Sequence, residues 1–313
     1  MVIVSTPGLD RRRFLQLLGG AAGALAVPPA FAVPTAEPEP FTFLFITDTH
    51  TEYELDAAHG TRMAFAHART IPADFAIQGG DHVFDALGVS PARATKLFDL
   101  YGKTEQDLGL KLYHTLGNHD CFGVYVHSGI GPADPRYGKK MFEALFGPTY
   151  YSFDHKGHHF VVLDSIGFTP ERRYRAEIDS VQLAWLAHDL ASQPLGTPII
   201  VAIHIPLTHS RHPDLKPTDP LAHEIHGFIN GPETMRLLEG YNVLGVLQGH
   251  VHINKEVVVN GIRYLTCGAV CGNWWHGPRF DTPEGFTVVT VANGKLSTRY
   301  ETYGFHTIDP EPS

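Results

Sequence analysis

Cysteines and basic residues are both scarce in this sequence. Its 313 residues include three cysteines, too few to build a disulfide scaffold. Lysine and arginine together number 24, against 33 aspartates and glutamates, which gives a net charge of −9. This balance argues against an extended surface for nucleic acid or anionic membrane, because such surfaces need clustered cations. A small anionic ligand held by local cations remains compatible with it.

The rest of the composition is that of a soluble globular protein, with 43% hydrophobic and 18% charged residues. No break in composition divides the chain, so we expect one folded domain over residues 41–303, with a linker at 33–40 before it and a tail at 304–313 after it. Histidine is abundant, with 20 residues. Because histidine is the commonest metal ligand and the usual proton carrier near neutral pH, its positions guide the search for a site.

Residues 1–32 have the features of an export signal. Three consecutive arginines precede an apolar run, Phe14 to Val27, that is too short to span a bilayer stably, and residues 30–32 offer a small-x-small cleavage site. Paired arginines followed by Phe-Leu resemble the twin-arginine signal. We therefore expect the twin-arginine export machinery to deliver the chain to the periplasm or the medium, with no stable membrane anchor after cleavage. An uncleaved anchor is the alternative.

Apolar runs alternate with helical stretches through most of the chain. The predicted strands cover residues 41–46, 74–78, 110–116, 199–203 and 243–248. Helical patterns lie between them, including one that we expect to be capped by Ser180. Alternation of strand and helix predicts an α/β fold.

The C-terminal part has a different pattern. Asn-Gly dipeptides at 260–261 and 293–294, each flanked by alternating hydrophobic residues, predict two β-hairpins. We expect a second, mixed or antiparallel sheet there. The stretch from Thr208 to Asn230, rich in histidine and proline, predicts a long loop.

Side chains of metal-binding type follow each of the five predicted strands. They are Asp48, His50, Asp81, Asn118, His119, His204, His250 and His252. Taken singly, Asp48 or Asp81 is an ordinary loop residue and Asn118 an ordinary turn residue. Ligands of open α/β sheets bind beyond the carboxyl ends of the strands, so the joint pattern favours one site. Carboxylate, imidazole and amide groups without thiolates suit Mn, Fe, Zn or Co, and eight of them predict two ions.

The order of these motifs resembles that of the calcineurin-like metallophosphoesterases. The motifs are Asp-x-His at 48–50, Gly-Asp at 80–81, Gly-Asn-His-Asp at 117–120, a strand-end His204, and Gly-His-x-His at 249–252. The resemblance covers about residues 41–303 and implies a four-layer sandwich of two mixed β-sheets flanked by helices. It also implies a dinuclear centre of divalent or trivalent transition-metal ions, whose shared hydroxide attacks a phosphate ester.

The resemblance further implies a role for each site residue. One ion is held by Asp48, His50 and His252, and the other by Asn118, His204 and His250. Asp81 bridges the two ions. His119 lies beside the leaving group, where it donates a proton or stabilises charge, and Asp120 orients its imidazole.

Departures from neighbouring branches narrow the expected reaction. Purple acid phosphatases carry a tyrosine three residues after the bridging aspartate, where this chain has Phe84, and their first motif lacks the histidine found at position 50. The motifs are more similar to those of cyclic-nucleotide and glycerophosphodiester phosphodiesterases. We therefore expect hydrolysis of a small phosphodiester, with a small-molecule phosphomonoesterase as the alternative. A non-catalytic metal-binding or partner-binding protein is disfavoured, because His119 and Asp120 are not needed to hold metal.

Residues 267–278 form a stretch rich in glycine and tryptophan. One interpretation is a substrate-facing loop in which Trp274, Trp275 and His276 contact the substrate and the rings stack on a base or apolar group. Plain packing is the equal alternative. Cys267 and Cys271, in the same stretch, form either a disulfide or two buried thiols.

Two further groups of residues have open interpretations. Arg172, Arg173 and Arg175 suit a phosphate, although neighbouring arginines in a polar loop are more often solvated. Four histidines of the predicted long loop either line the mouth of the site or lie on the surface: His209, His212, His223 and His226.

Overall fold

The computed structural model describes residues 39–208 and 228–310. The predicted leader, most of the predicted linker and the four histidines between 209 and 226 lie outside these ranges. No helix in the described ranges is both long enough and apolar enough to cross a membrane.

Thirteen strands and five α-helices make up the described part of the chain. The strands are β1 (Phe41–Ile46), β2 (Ala76–Gln78), β3 (Leu112–His114), β4 (Tyr151–His155), β5 (His158–Leu163), β6 (Ile166–Phe168), β7 (Tyr174–Ala176), β8 (Pro198–Ile203), β9 (Asn242–Gln248), β10 (Lys255–Val259), β11 (Ile262–Thr266), β12 (Gly285–Ala292) and β13 (Lys295–Thr302). The helices are α1 (Ala57–Ala68), α2 (Pro91–Glu105), α3 (Lys140–Phe146), α4 (Ser180–Ser192) and α5 (Gly231–Leu238).

Most strands belong to two mixed sheets. The first has the order β13-β12-β1-β2-β3, in which β1, β2 and β3 run parallel and β12 pairs antiparallel with β1. The second has the order β10-β11-β9-β8-β5-β4, with a parallel centre and antiparallel pairs at both edges. Strands β6 and β7 form a small separate hairpin.

Three apolar clusters hold the layers together. Between the two sheets, Phe43 and Phe45 of β1 belong to one buried cluster with Phe160 of β5 and Leu247 of β9. The outer face of the first sheet packs on α1 and α2, and the outer face of the second packs on α4 and α5. The architecture is therefore α/β, with two mixed sheets between layers of helices, and it confirms the predicted fold class.

The two C-terminal hairpins are divided between the two sheets, so the predicted second, mixed sheet contains the first hairpin but not the second. Strands β10 and β11 extend the second sheet through a parallel pairing of β11 with β9, whereas β12 and β13 extend the first sheet beside β1. Each hairpin has one edge that pairs with a buried strand, and a hairpin alone is only marginally stable in water. The local turn signals identify each hairpin but carry no information about the strand it joins.

The start of α4 also differs from the prediction. Asp179 is the N-cap, and its carboxylate accepts a hydrogen bond of 2.8 Å from the backbone N–H of Gln182. Ser180 is instead the first helical residue. The buried face carries Gln182, Leu186 and Leu190, while Val181 is exposed.

Candidate metal centre

The loops after β1, β2, β3, β8 and β9 bring the predicted ligands together. Nε2 of His204 lies 3.1 Å from Oδ2 of Asp81, and Nε2 of His252 lies 3.3 Å from Oδ1 of Asp48. His50 joins them, with Nε2 3.5 Å from Oδ2 of Asp81. His250 offers a nitrogen within 4.8 Å of ligand atoms of Asp81 and His204.

The cluster is removed from solvent, yet many of its polar atoms have no partner. Asp48, Asn118 and His204 are fully buried. Both nitrogens of His50, both side-chain polar atoms of Asn118, and Nε2 of His204 and of His252 form no hydrogen bond in the described structure. Buried polar groups are normally paired, because leaving them unpaired costs free energy. Unpaired imidazole and amide groups around two ionised carboxylates therefore suit metal ions.

Two of the histidines are oriented by backbone carbonyls. Nδ1 of His204 lies 2.8 Å from the carbonyl oxygen of Gly79, and Nδ1 of His252 lies 2.6 Å from that of Gly272. A carbonyl oxygen only accepts, so Nδ1 donates in each pair, and in the neutral imidazole, the form that binds metal, the lone pair is on Nε2. Nε2 is the atom that faces the carboxylates. This is the arrangement typical of metal-ligating histidines.

The backbone is left-handed at five of the seven predicted ligands. The φ values are 54° at Asp48, 37° at His50, 55° at Asp81, 70° at His250 and 60° at His252. Non-glycine residues rarely adopt this conformation, and such strain concentrates at functional sites. The strand ends thus turn sharply, which directs side chains from different loops to one point.

Two glycines leave room for the carboxylates. A Cβ at Gly117 would lie 2.1 Å from Oδ1 of Asp81, and one at Gly249 would lie 2.6 Å from Oδ2 of Asp48. Both distances are far below contact. The glycines of the Gly-Asn-His-Asp and Gly-His-x-His motifs are therefore required by the close approach of neighbouring loops.

Burial and charge act against each other at the ionisable groups. Burial alone would raise the pKa of Asp48, but His252 and His204 lower it to about 2. Burial opposes protonation of His204, but Asp81 and Asp48 raise its pKa to about 9. Burial, assisted by His204, lowers the pKa of His250 to about 3. The cluster therefore keeps its carboxylates ionised, as metal binding requires.

His119 lies at the edge of the cluster, but Asp120 does not orient its imidazole. The His119 ring is 4.7 Å from that of His50, and its backbone N–H donates to Oδ1 of Asp81 at 2.8 Å. The nearest carboxylate to the imidazole is Asp85, whose Oδ1 is 3.9 Å from Nδ1. The role predicted for Asp120 is thus corrected, and Asp85 is a residue that the motif analysis missed. The available signal was a second carboxylate four residues after Asp81 in the same loop.

Asp120 instead ties the two motif loops together beneath the site. Its carboxylate accepts from the backbone N–H groups of Asp81, His82 and Gly117 at 3.0, 2.8 and 2.9 Å. It also lies 2.9 Å from Nδ1 of His82, whose Nε2 is 3.0 Å from Nδ1 of His114. A buried carboxylate with this many donors fixes backbone geometry, and it is too occupied to direct His119.

The three residues of the Trp-rich loop are placed differently from one another. Trp275 is fully buried, and its indole N–H donates to the carbonyl oxygen of His50 at 3.0 Å. Nδ1 of His276 contacts the carbonyl oxygen of Asp309, in the C-terminal segment. Trp274 alone borders the metal-ligand cluster, with its ring 4.8 Å from the His252 ring. Contact with substrate, predicted for all three, is compatible with the position of Trp274 only.

The structure bears on Arg172 and on the cysteines, two of the remaining open interpretations. Arg172 donates to the backbone carbonyl oxygens of Gly123, Val124 and Ile130, so it joins loops and does not face the cluster. All three cysteines are buried free thiols. The sulfur of Cys271 lies near His50 and His252. We leave it out of the ligand set, because it lies 3.6 Å from Nδ1 of His252, the nitrogen that already donates to Gly272.

Comparison with known proteins agrees with the fold and with the motif pattern. Residues 41–254 match the family described as calcineurin-like phosphoesterase. The fold is similar to that of a dimetal phosphatase from Danio rerio, with a TM-score of 0.59 and 16% identity over 84% of this chain and 96% of that chain. It is also similar to GAP50, the anchor in the inner membrane complex of Plasmodium, with a TM-score of 0.53 and 14% identity over 87% of this chain and 90% of that chain. No protein of curated function matches the chain significantly.

Proposed function

The chain belongs to the calcineurin-like phosphoesterase family, a family of metal-dependent hydrolases of phosphate esters, and from this premise we propose an exported enzyme that favours phosphodiesters. The observation that carries the proposal is the set of buried, unpartnered ligand atoms from four loops, those after β1, β3, β8 and β9. A structural cluster would have paired these atoms with one another, since each unpaired buried group costs about 1–3 kcal/mol.

The donor atoms of the cluster fit two ions. We assign Asp48, His50 and His252 to one ion, Asn118, His204 and His250 to the other, and Asp81 to both. The carboxylate of Asp81 supports the last assignment, because Oδ2 faces both His204 and His50, at 3.1 and 3.5 Å. When bound, such ions lower the pKa of a water molecule and polarise phosphoryl oxygens.

In the proposed reaction, His119 donates a proton to the leaving group. Its backbone N–H holds Oδ1 of Asp81, which places the ring next to the ligand cluster. Because Nδ1 faces Asp85, Nε2 is the nitrogen left to face the departing oxygen. Asp85 then acts as a positioning residue, and protonation of the leaving group by His119 completes the cleavage.

The surroundings of His119 support a diester over a monoester. The Phe84 ring stacks on the His119 ring at 5.5 Å, and the Asp85 carboxylate lies 3.9 Å from Nδ1 of the same imidazole. An uncharged ester substituent fits an apolar ring, and the single negative charge of a diester is repelled by Asp85 less than the two charges of a monoester. A small-molecule phosphomonoester is the alternative substrate.

Export is supported by the arginine pair, the short apolar run and the cleavage site of residues 1–32. We propose the twin-arginine machinery as the partner in export and the periplasm or the medium as the destination. A reporter fused to residues 1–40 tests this directly. Export should stop when Arg11 and Arg12, the pair that is followed one residue later by Phe-Leu, are both changed to lysine. Export that continues unchanged through the general secretory route would contradict the proposal.

The catalytic proposal is tested on the mature, metal-replete protein with a chromogenic phosphodiester and the matching monoester. We expect two transition-metal ions per chain and faster turnover of the diester. His119→Ala should keep both ions and lose about 10²- to 10⁴-fold in kcat. His188→Ala, a change at an exposed histidine of α4, is the matched control and should leave both quantities unchanged.

Each outcome of that experiment bears on a different part of the proposal. Fewer than two bound ions would remove the dinuclear centre, and an unchanged kcat in His119→Ala would remove its proposed role. Faster turnover of the monoester would overturn only the preference for diesters.

A further inference from the structure

Trp274 lies against the half of the centre that we assign to Asp48, His50 and His252. Its ring centroid is 4.8 Å from that of His252 and 6.3 Å from that of His50. The side chain is partly exposed. It therefore forms part of the boundary between the ligand cluster and solvent.

The indole N–H of Trp274 is a buried donor without an acceptor. Nε1 is shielded from solvent and forms no hydrogen bond with any residue that the structure describes. Tryptophan N–H groups usually find a partner when they are buried. The carboxylates of Asp48 and Asp81 do not accept from this donor, because they face the ligand histidines. A ligand that brings an acceptor would remove the cost of the unpaired N–H.

The adjacent tryptophan provides the contrast. Trp275 is fully buried, its N–H donates to the carbonyl oxygen of His50, and its ring packs edge-on against Phe305. Trp275 is thus a satisfied core residue. Of the two neighbouring tryptophans, Trp275 anchors the loop and Trp274 carries an unpaired donor.

The loop that carries Trp274 is held in place. Trp274 and Trp275 are both left-handed, with φ of 48° and 71°. The backbone N–H of Asn273 donates to the carbonyl oxygen of Gly277, and that of Trp275 donates to Cys271, both at 2.8 Å. The guanidinium of Arg279 lies 5.0 Å from the Trp274 ring centroid. The donor is therefore positioned before any ligand binds, which lowers the entropic cost of binding.

We propose that Trp274 is a substrate-contacting residue, whose indole N–H donates a hydrogen bond to a non-esterified oxygen of the substrate phosphate. This inference rests on the proposed function, because the phosphate is placed by the same centre. The chemical group recognised is an anionic phosphoryl oxygen. Hydrogen bonding to this oxygen, and not stacking on a base, is the proposed role of the side chain.

The test uses Trp274→Phe, which keeps an aromatic ring and removes the donor, in the metal-replete mature protein. Inorganic phosphate is the probe, and its dissociation constant is measured by calorimetry. We expect the variant to bind two metal ions and to weaken phosphate binding at least about tenfold, since the lost bond is to a charged acceptor. KM for the diester should rise with it. Trp185→Phe, on α4, is the matched control and should bind phosphate as the parent protein does.

A second readout follows the indole itself. Phosphate should change the tryptophan emission of the parent protein and of Trp185→Phe, and this change should be lost in Trp274→Phe. An unaltered phosphate affinity in Trp274→Phe would overturn the inference. Loss of a metal ion from that variant would overturn it too, because the ring would then serve to support His252. Failure of the parent protein to bind phosphate or to cleave either ester would instead contradict the proposed function.

Discussion

Two clusters of histidine and aspartate in the described residues differ in the hydrogen bonds that their buried histidines form. At the metal centre, Nε2 of His204 and of His252 has no hydrogen-bond partner in the described structure. On β5 of the second sheet, His159 is also buried, but its Nδ1 lies 2.7 Å from the exposed carboxylate of Asp154 and its Nε2 lies 2.8 Å from the carboxylate of Asp189. The first cluster leaves its lone pairs available, and the second uses every nitrogen. Hydrogen-bond completeness, and not histidine burial, separates a ligand from a structural residue.

The largest expected effect is at Asp81, the carboxylate that faces ligands of both proposed ions. Asp81→Ala should lower kcat/KM by more than 100-fold, because loss of an outer-shell partner alone typically costs 10- to 100-fold. Metal analysis of the same sample should show loss of bound ions. For comparison, Asp189→Ala in the second cluster should retain both ions. Retention of two ions by Asp81→Ala would make the two clusters indistinguishable.

Asp120 gives the next largest effect, on stability. It is a buried carboxylate that accepts from three backbone N–H groups and pairs with His82, so removing it leaves several donors unpaired. Asp120→Ala should lower the free energy of unfolding by about 3–5 kcal/mol. Denaturant unfolding measures this, with Asp85→Ala as the paired variant. We expect Asp85→Ala to affect kcat far more than stability, and equal destabilisation by both would contradict the separate roles.

Removal of metal should abolish activity and lower thermal stability without unfolding the core of the sheets. A chelator should abolish activity and lower the midpoint of thermal unfolding, since ions at about 100 times their dissociation constant add about 2.7 kcal/mol to the folded state. The core of the sheets should remain folded, because its apolar clusters do not involve the ligands. Calorimetry with and without added Mn²⁺ checks the shift. An unchanged midpoint after restoring the metal would argue against a metal site.

The smallest expected effect is a pH dependence of the second cluster. Burial opposes charge on His159, but Asp189 and Asp154 raise its pKa above the ordinary 6.5. The folded protein therefore holds this proton more tightly than the unfolded chain. The resulting stability is fully present below about pH 6.5 and is lost as the pH rises through the folded-state pKa. Unfolding of the parent protein and of His159→Gln at several pH values should show a stability difference that shrinks as the pH rises above neutrality. A constant difference would show that the ion pairs contribute nothing.

The sequence predicted those features that depend on local pattern. Strand β1 has the predicted bounds, and β10 and β11 turn at the predicted Asn-Gly of 260–261. The ligand-type residues from 48 to 252 converge as the rule for strand ends requires. Strand pairing was not predictable, because β11 and β12 join different sheets through contacts distant in sequence. The same limit applies to Asp120, since a motif position does not reveal which donors surround a carboxylate. Trp274 and Trp275 cannot be told apart by residue type, and only their surroundings separate them.

The C-terminal segment holds the Trp-rich loop, and it is synthesised after all the proposed metal ligands. Tyr303 donates its hydroxyl hydrogen to the carbonyl oxygen of Val270, and Thr307 donates to that of Trp275. These residues hold the Trp-rich loop, yet they are synthesised about 50 residues after the last proposed ligand, His252. During translation, the full set of proposed ligands is therefore synthesised before the residues that hydrogen-bond the Trp-rich loop beside them.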